Sequence, residues 1–248
     1  MGIIKIDEKI IYKGSLYKYL DDSASKYRHI QYLTPDSIKA TSVIELPGLL
    51  NMELSDMTSD IKNSSTGLVF FVKENSIDIL IPAFSVIEDF VSDSYSNFYL
   101  KSIFEKPRFI GIILLRLGRF ALAVLNNEQI IASKTEGRYV KNRHKAGGSS
   151  QRRFERSRER LVRELYDKSC EEMENVFGEY IDSMDHIFLG GEKHTLNGFK
   201  KRCSVINRHN HKIMNRVLDI DIPNKKTLDV VYRQVYSSKL LTYEMIHN

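Results

Sequence analysis

Short apolar runs bounded by turn-forming residues characterise the chain up to about residue 134. Residues 1–65 show only irregular alternation with polar breaks, whereas five clear runs follow, at 68–72, 77–81, 109–116, 119–125 and 129–134. Leu117-Gly118 and Asn126-Asn127 connect the last three runs. Because connections this short join antiparallel neighbours, the pattern predicts a β-meander over 109–134.

A different period begins after Gly137. Residues 137–150 contain almost no apolar side chain, which predicts an exposed loop. From Gln151 to Phe177 apolar side chains recur every three or four residues, which predicts a helix of about 26 residues with Gly178 as its stop. Beyond it, the pattern predicts a strand at 185–189 and helices at 196–207, 211–218 and 225–247.

The composition is that of a globular protein, since 42% of the 248 residues are hydrophobic and 28% are charged. No apolar run approaches the roughly 18 residues that span a bilayer, and the charged N-terminus lacks the apolar centre of a signal peptide. Cys170 and Cys203 are too few for a disulfide framework or a zinc knuckle. We therefore expect a reducing, cytoplasmic location and no membrane association.

Positive charge is concentrated in one segment. Residues 138–163 contain ten Lys or Arg and two Glu, a net charge of +8, whereas the whole chain carries +5 and the other 222 residues therefore carry −3. A slightly acidic body with one basic segment is typical of a protein that binds a polyanion. The alternative is a solvated basic helix without a partner, which the mutual repulsion of eight excess charges disfavours.

Three kinds of chemistry meet in residues 143–156, which read Arg-His-Lys-Ala-Gly-Gly-Ser-Ser-Gln-Arg-Arg-Phe-Glu-Arg. Gly147 and Gly148 allow the backbone to approach a ligand closely. Gln151 brings an uncharged acceptor and two donors, and the flanking arginines suit phosphates. The glycines are not followed by Gly-Lys-Ser/Thr, which excludes a Walker phosphate loop. Taken alone, the loop is equally consistent with a Gly-Ser linker.

The order of these features resembles the middle domain of eukaryotic and archaeal class I peptide release factors. In that family a basic Gly-Gly-Gln loop precedes a long helix with an Arg-Phe-x-Arg start, which Arg153-Phe154-Glu155-Arg156 matches here. Thr66 to Phe70 resembles the strand before that domain, and Phe188 to Gly191 resembles the opening of the family's third domain. The resemblance covers about residues 66–248.

The resemblance implies a multi-unit α+β or α/β fold in three parts. Residues 1–65 have an uncertain role and carry no motif of a stop-codon-reading domain. Residues 66–183 resemble the middle, catalytic domain, an antiparallel sheet with a long basic helix, and residues 184–248 resemble the small α/β third domain. Ser149 and Ser150 separate Gln151 from Gly148, where the family has Gly-Gly-Gln contiguous. This departure looks more like the release-factor-like hydrolases of ribosome quality control.

The function implied by the resemblance is hydrolysis of peptidyl-tRNA stranded on stalled large ribosomal subunits, without a stop codon. Catalysis would fall to Gln151 with Gly147 and Gly148, in a catalytic loop that also contains Ser149, Ser150 and His144. RNA contacts would come from the basic side chains around the loop, namely Arg138, Lys141, Arg143, Lys145, Arg152, Arg153 and Arg156. The implied partners are the rRNA of the large subunit and peptidyl-tRNA, and we expect a monomer with no cofactor and no metal.

Two other functions fit the same placement. One is cleavage of the tRNA 3′ end, which breaks a phosphodiester rather than an ester. The other is a binding module without catalysis, like the Pelota-type rescue relatives, which share the fold but lack Gly-Gly-Gln. A separate candidate, a metal site at His209 and His211, lacks a nearby Cys or carboxylate as third ligand in the sequence.

Overall fold

Apolar runs rich in Val, Ile, Leu and Phe form the strands of the protein, for which a computed structural model describes residues 2–46, 50–140 and 149–246. Contacts among the strands and helices divide the chain into two units. The first is Met1–Lys106 together with Arg233–Asn248, and the second is Pro107–Tyr232.

In the described residues, the first unit contains the following elements: β1 (Gly2–Tyr12), α1 (Lys13–Asp22), β2 (His29–Leu33), α2 (Pro35–Ala40), β3 (Val43–Leu46), β4 (Leu50–Glu53), α3 (Ser59–Lys62), β5 (Leu68–Val72), β6 (Ser76–Ile81), β7 (Phe90–Ser92), α4 (Phe98–Glu105) and β13 (Ser237–Ile246). Six of these strands form an antiparallel sheet in the order β1-β13-β6-β5-β2-β7, and β3 pairs with β4. A core of buried side chains joins Phe70 of β5 and Ile79 of β6 to Ile44 and Met52 of the β3–β4 pair.

A buried carboxylate ties together the opposite face of this sheet. Asp78 of β6 accepts hydrogen bonds from the hydroxyls of Tyr19 (2.9 Å), Tyr27 (3.1 Å) and Thr242 (2.9 Å), and its Oδ2 lies 2.7 Å from Nζ of Lys73. Burial and the Asp78 charge raise the pKa of both tyrosine hydroxyls, so they remain protonated donors. Because the carboxylate has this full set of partners, it serves to stabilise the first unit.

In the described residues, the second unit contains β8 (Phe109–Arg116), β9 (Arg119–Asn126), β10 (Gln129–Gly137), α5 (Ser149–Phe177), β11 (His186–Gly191), α6 (Lys193–Arg202), α7 (Ser204–Arg208), β12 (Ile213–Leu218) and α8 (Lys225–Val235), which ends just past the unit boundary. The sheet order is β10-β9-β8-β11-β12. β8, β9 and β10 are antiparallel, and β11 runs parallel to both β8 and β12. The predicted meander, long helix and following strand are therefore confirmed.

The long helix α5 packs on the sheet with only its second half. Leu165, Met173 and Phe177 are fully buried, in one core with Phe120 and Leu122 of β9. Lys168 of α5 lies 2.8 Å from Glu172, which also faces Lys134 of β10 at 3.7 Å. Hydrogen bonding to Lys168 is the largest cause that lowers the pKa of Glu172. These contacts fix α5 over β9 and β10.

Two predicted helices are wrong. Residues 213–218 form β12, because a parallel position beside β11 satisfies their backbone. The helix predicted for 225–247 ends at Val235, and Ser237–Ile246 is β13, inserted between β1 and β6. Apolar residues such as Leu240, Leu241 and Tyr243 fit a buried strand as well as a helix, so the pairing partners decide.

The unit boundaries also differ from the predicted divisions at 66 and 184. β5 and β6 pair with β2 and β13 of the first unit, which places residues 66–106 there. β11 pairs with β8, so the residues predicted to open a third domain continue the sheet of the second unit.

Cys170 and Cys203, which the sequence suggested are too few for a disulfide framework, form a single disulfide bond. Cys170 lies on α5 and Cys203 between α6 and α7, with 5.5 Å between their Cα atoms. Their positions, 33 apart in the sequence, did not predict this proximity, which arises because both segments pack into one core. The two cysteines therefore no longer support a reducing location.

Candidate active site

The beginning of α5 is exposed along residues 151–156. Among the side chains described for α5, the first fully buried one is Leu165, about 24 Å along the axis from Ser149 at 1.5 Å per residue. Even Phe154 is 51% exposed.

Gln151 occupies the first turn of α5, where helix geometry itself provides donors. The first backbone N–H groups of any α-helix lack intrahelical acceptors, and the helix dipole adds partial positive charge there. Residues 149–151 carry such N–H groups, because α5 begins at Ser149. This end of the helix is therefore suited to stabilise negative charge on a bound group.

The helix start also limits the displacement that Ser149 and Ser150 introduce before Gln151. Two extra residues in an extended chain would displace the glutamine by up to about 7 Å. Ser149 and Ser150 are helical, and two helical residues rise only about 3 Å. Gln151 therefore stays within a short distance of the point where the loop enters α5.

Sequence reasoning missed one contact at this site. The side-chain amide nitrogen of Gln151, Nε2, donates a hydrogen bond to Oε1 of Glu155 at 3.0 Å. The four-residue spacing was a usable signal, since residues i and i+4 face each other on a helix.

Four of the arginines of α5 form a stripe on the projecting half of the helix. Arg152, Arg156, Arg160 and Arg163 follow one another at spacings of four, four and three residues, which places them along one side of the helix. Three of the predicted RNA-binding residues lie on the projecting half of α5 and are exposed, namely Arg152, Arg153 and Arg156. Arg160 also contacts Glu164 at 2.7 Å.

Arg138 lies elsewhere in the second unit. It follows β10, where its backbone N–H donates to the carbonyl of Gly118 and its Nε donates to Oε1 of Glu136 at 2.8 Å. The other predicted loop residues lie outside the described residues: Lys141, Arg143, His144, Lys145, Gly147 and Gly148.

A cavity of about 430 Å³ opens farther along α5. Its lining includes Arg158, Val162 and Tyr166 from the helix, with Glu192 and His194 at the start of α6. Burial raises the pKa of the Tyr166 hydroxyl, and the nearby Glu192 carboxylate adds to the effect. Arg158, one of the ten basic residues, therefore belongs to this cavity, seven residues beyond Gln151.

In residues 2–46, 50–140 and 149–246, no three His, Cys, Asp or Glu side chains come together in a way that would hold a metal ion. His209 and His211 lie beside each other after α7, with ring centroids 6.4 Å apart. In the same part, no helix is long and apolar enough to cross a membrane.

The basic helix α5 and the loop before it lie within a segment that matches a known protein family. Residues 108–241, more than half of the chain, match the sequence model of the Actinobacteria/Chloroflexi VLRF1 release factor. The chain belongs to this family. The VLRF1 match begins with the second unit, contains all of α5 and extends into β13.

Archaeal release factors are similar to this VLRF1-family chain. Peptide chain release factor subunit 1 of Methanosphaera stadtmanae is 26% identical over 156 residues, 58% of this chain and 38% of that protein. The Picrophilus torridus protein of the same name is 25% identical over 201 residues, 76% of this chain and 49% of the relative. The VLRF1-family chain therefore spans less than half the length of these two curated relatives.

Among solved structures, the crystal structure of the archaeal translation termination factor aRF1 is similar to the VLRF1-family chain. It is 16% identical, with a TM-score of 0.41, and the similarity covers 91% of this chain and 73% of that structure.

Proposed function

We propose that the protein hydrolyses the ester bond of peptidyl-tRNA on stalled large ribosomal subunits and releases the nascent chain without reading a stop codon. Membership of a release-factor family is the observation that carries the proposal. The position of Gln151 at the start of a projecting, arginine-rich helix supports it, because this arrangement brings donors to an RNA-lined cleft.

The proposed reaction is attack of water on the ester carbonyl carbon. The water oxygen forms a bond to that carbon, the bond to the ribose oxygen of the terminal adenosine breaks, and one proton of the water is transferred to that ribose oxygen. Negative charge develops on the carbonyl oxygen in between. Backbone N–H groups at the start of α5 would stabilise this charge, a contact worth about 3–4 kcal/mol when well aimed.

Gln151 has the role of holding the attacking water in this proposal. Its side chain is uncharged, so it orients the water without itself acting as a base at neutral pH. Gly147 and Gly148 would let the loop backbone approach the ester, and Ser149, Ser150 and His144 complete the proposed catalytic loop. Arg152, Arg153 and Arg156 would contact rRNA or tRNA phosphates.

The test is to incubate the protein with stalled large subunits that carry labelled peptidyl-tRNA and to resolve peptide and tRNA together. We expect free peptide and full-length tRNA. Gln151→Ala should abolish release and leave subunit binding nearly intact, whereas the matched variant Gln129→Ala, an exposed glutamine at the start of β10, should release normally.

Each other outcome contradicts the proposal in a different way. Peptide on a shortened tRNA would mean nuclease chemistry. Binding without any product would mean a binding module. Full release by Gln151→Ala would remove this residue from the mechanism.

A further inference from the structure

The contact between Gln151 and Glu155 determines which end of the glutamine amide faces the reaction. A carboxylate has no N–H and accepts hydrogen bonds only, so the amide must turn its NH₂ group toward Glu155. In the structure Nε2 of Gln151 donates to Oε1 of Glu155 at 3.0 Å. The carbonyl oxygen of the amide, Oε1 of Gln151, is therefore directed away from Glu155.

This orientation matters because the two ends of an amide have opposite chemistry but nearly the same shape. The terminal torsion of a glutamine side chain is broad and roughly two-fold, so an unrestrained amide presents NH₂ and oxygen about equally. A water that attacks an ester must lose a proton, and only the oxygen end of the amide accepts a hydrogen bond from that water. An amide turned the other way would donate to the water and weaken it as a nucleophile.

We propose that Glu155 is a positioning residue that orients the Gln151 amide so that its oxygen accepts a hydrogen bond from the attacking water. The proposal rests on the proposed function of Gln151. Glu155 lies one helical turn beyond Gln151 and never touches the ester in this account. A carboxylate within the basic segment lowers the affinity for RNA, so Glu155 does not serve phosphate binding. Orientation of the Gln151 amide is a role that its position can serve.

Glu159 offers a matched control on the same helix. It is exposed, it belongs to the same basic segment, and it lies eight residues from Gln151, beyond the reach of one turn. Glu155→Ala and Glu159→Ala therefore change the charge of the segment equally, and only the first removes the acceptor for Gln151. Glu155→Gln removes the charge and retains an acceptor oxygen.

The kinetic experiment measures single-turnover peptide release at saturating protein, with the affinity for the labelled large subunits measured separately. Glu155→Ala should slow release by about tenfold, the loss expected from a misoriented catalytic group, with affinity unchanged or tighter. Glu155→Gln should restore most of the rate, and Glu159→Ala should match the wild type. Equal rates for Glu155→Ala and Glu159→Ala, or a Glu155→Gln rate as low as that of Glu155→Ala, would overturn the proposal.

A second measurement separates this proposal from the proposed function. The side-chain NH₂ resonances of Gln151 in the free protein are assigned by their loss in Gln151→Ala. They should shift in Glu155→Ala and stay in place in Glu159→Ala. Unchanged Gln151 resonances in Glu155→Ala would refute the positioning role of Glu155, even if Gln151 proves essential for release. Full release by Gln151→Ala would instead refute the catalytic assignment of Gln151, even if the contact with Glu155 exists.

Discussion

Gly191 of the second unit occupies a position where the backbone conformation and the space around its Cα atom do not accommodate a side chain. It ends β11 with a φ of +122°, and a Cβ atom there would lie 2.1 Å from the carbonyl oxygen of Leu115. We predict that Gly191→Ala lowers the free energy of unfolding by more than about 2 kcal/mol, because backbone strain adds to the collision. Urea denaturation measures the effect.

The control for Gly191 is Gly14 near the start of α1. Nothing lies within 4 Å of a Cβ built on Gly14, so Gly14→Ala should leave stability unchanged or raise it by up to about 1 kcal/mol, since alanine favours helices. A Gly191→Ala protein as stable as the wild type would show that β11 and β8 separate easily at this point.

The disulfide between Cys170 and Cys203 links α5 to the junction between α6 and α7. A cross-link over 33 residues is expected to contribute about 3–4 kcal/mol, mainly by restricting the unfolded chain. We predict that a reductant shifts the urea midpoint of the wild type downward. The double variant Cys170→Ala/Cys203→Ala should show no response to reductant.

Alkylation under denaturing, non-reducing conditions provides the direct check on this bond. Mass spectrometry should detect no alkylated cysteine before reduction and two after it. Two alkylated thiols without reductant would mean that the helices are held by packing alone.

The elements that the sequence predicted well are those whose pattern depends on nearby residues. The β8–β10 meander has tight turns, and α5 has a long helical period, so local rules were sufficient. The predictions for β12 and β13 were wrong because these strands pair with strands that are not their immediate neighbours in the sequence: α6 and α7 separate β12 from β11, and β13 pairs with β1 and β6. A short apolar segment becomes a strand or a helix according to its neighbours in the fold. The disulfide between Cys170 and Cys203 was not predicted for the same reason.

The candidate site shows the same division. Gln151 and the arginines at 152, 153 and 156 were predicted from the resemblance of a short motif, and the helix start at Ser149 places Gln151 in the first turn. The Glu155 contact required side-chain geometry, although its spacing hinted at it. The roles of these residues stay predictions, as do those of Gly147 and Gly148.

The two units carry net charges of opposite sign. The first unit has 13 Lys or Arg and 16 Asp or Glu, a net charge of −3, and the second has 24 and 16, a net charge of +8. We predict that affinity for large subunits falls steeply with salt, and that Arg156→Ala reduces the slope of log affinity against log salt by about one. Titrations over a series of salt concentrations give this slope.

The matched variant for the salt series is Lys18→Ala, an exposed lysine of α1 in the acidic unit. It removes the same charge and should leave the slope unchanged. Equal slopes for Arg156→Ala and the wild type would contradict the proposed contact between Arg156 and RNA.

The insertion of β13 between β1 and β6 has a consequence for how the protein is made. Translation delivers β1 through β7 first, then the whole second unit, and β13 only afterwards. At about 5–20 residues per second, β6 waits roughly ten to thirty seconds for its missing neighbour. Until then, β1 and β6 of the nascent chain each expose the strand edge that β13 later pairs with. Unpaired edges can associate with other chains, so protection by chaperones matters most in this interval.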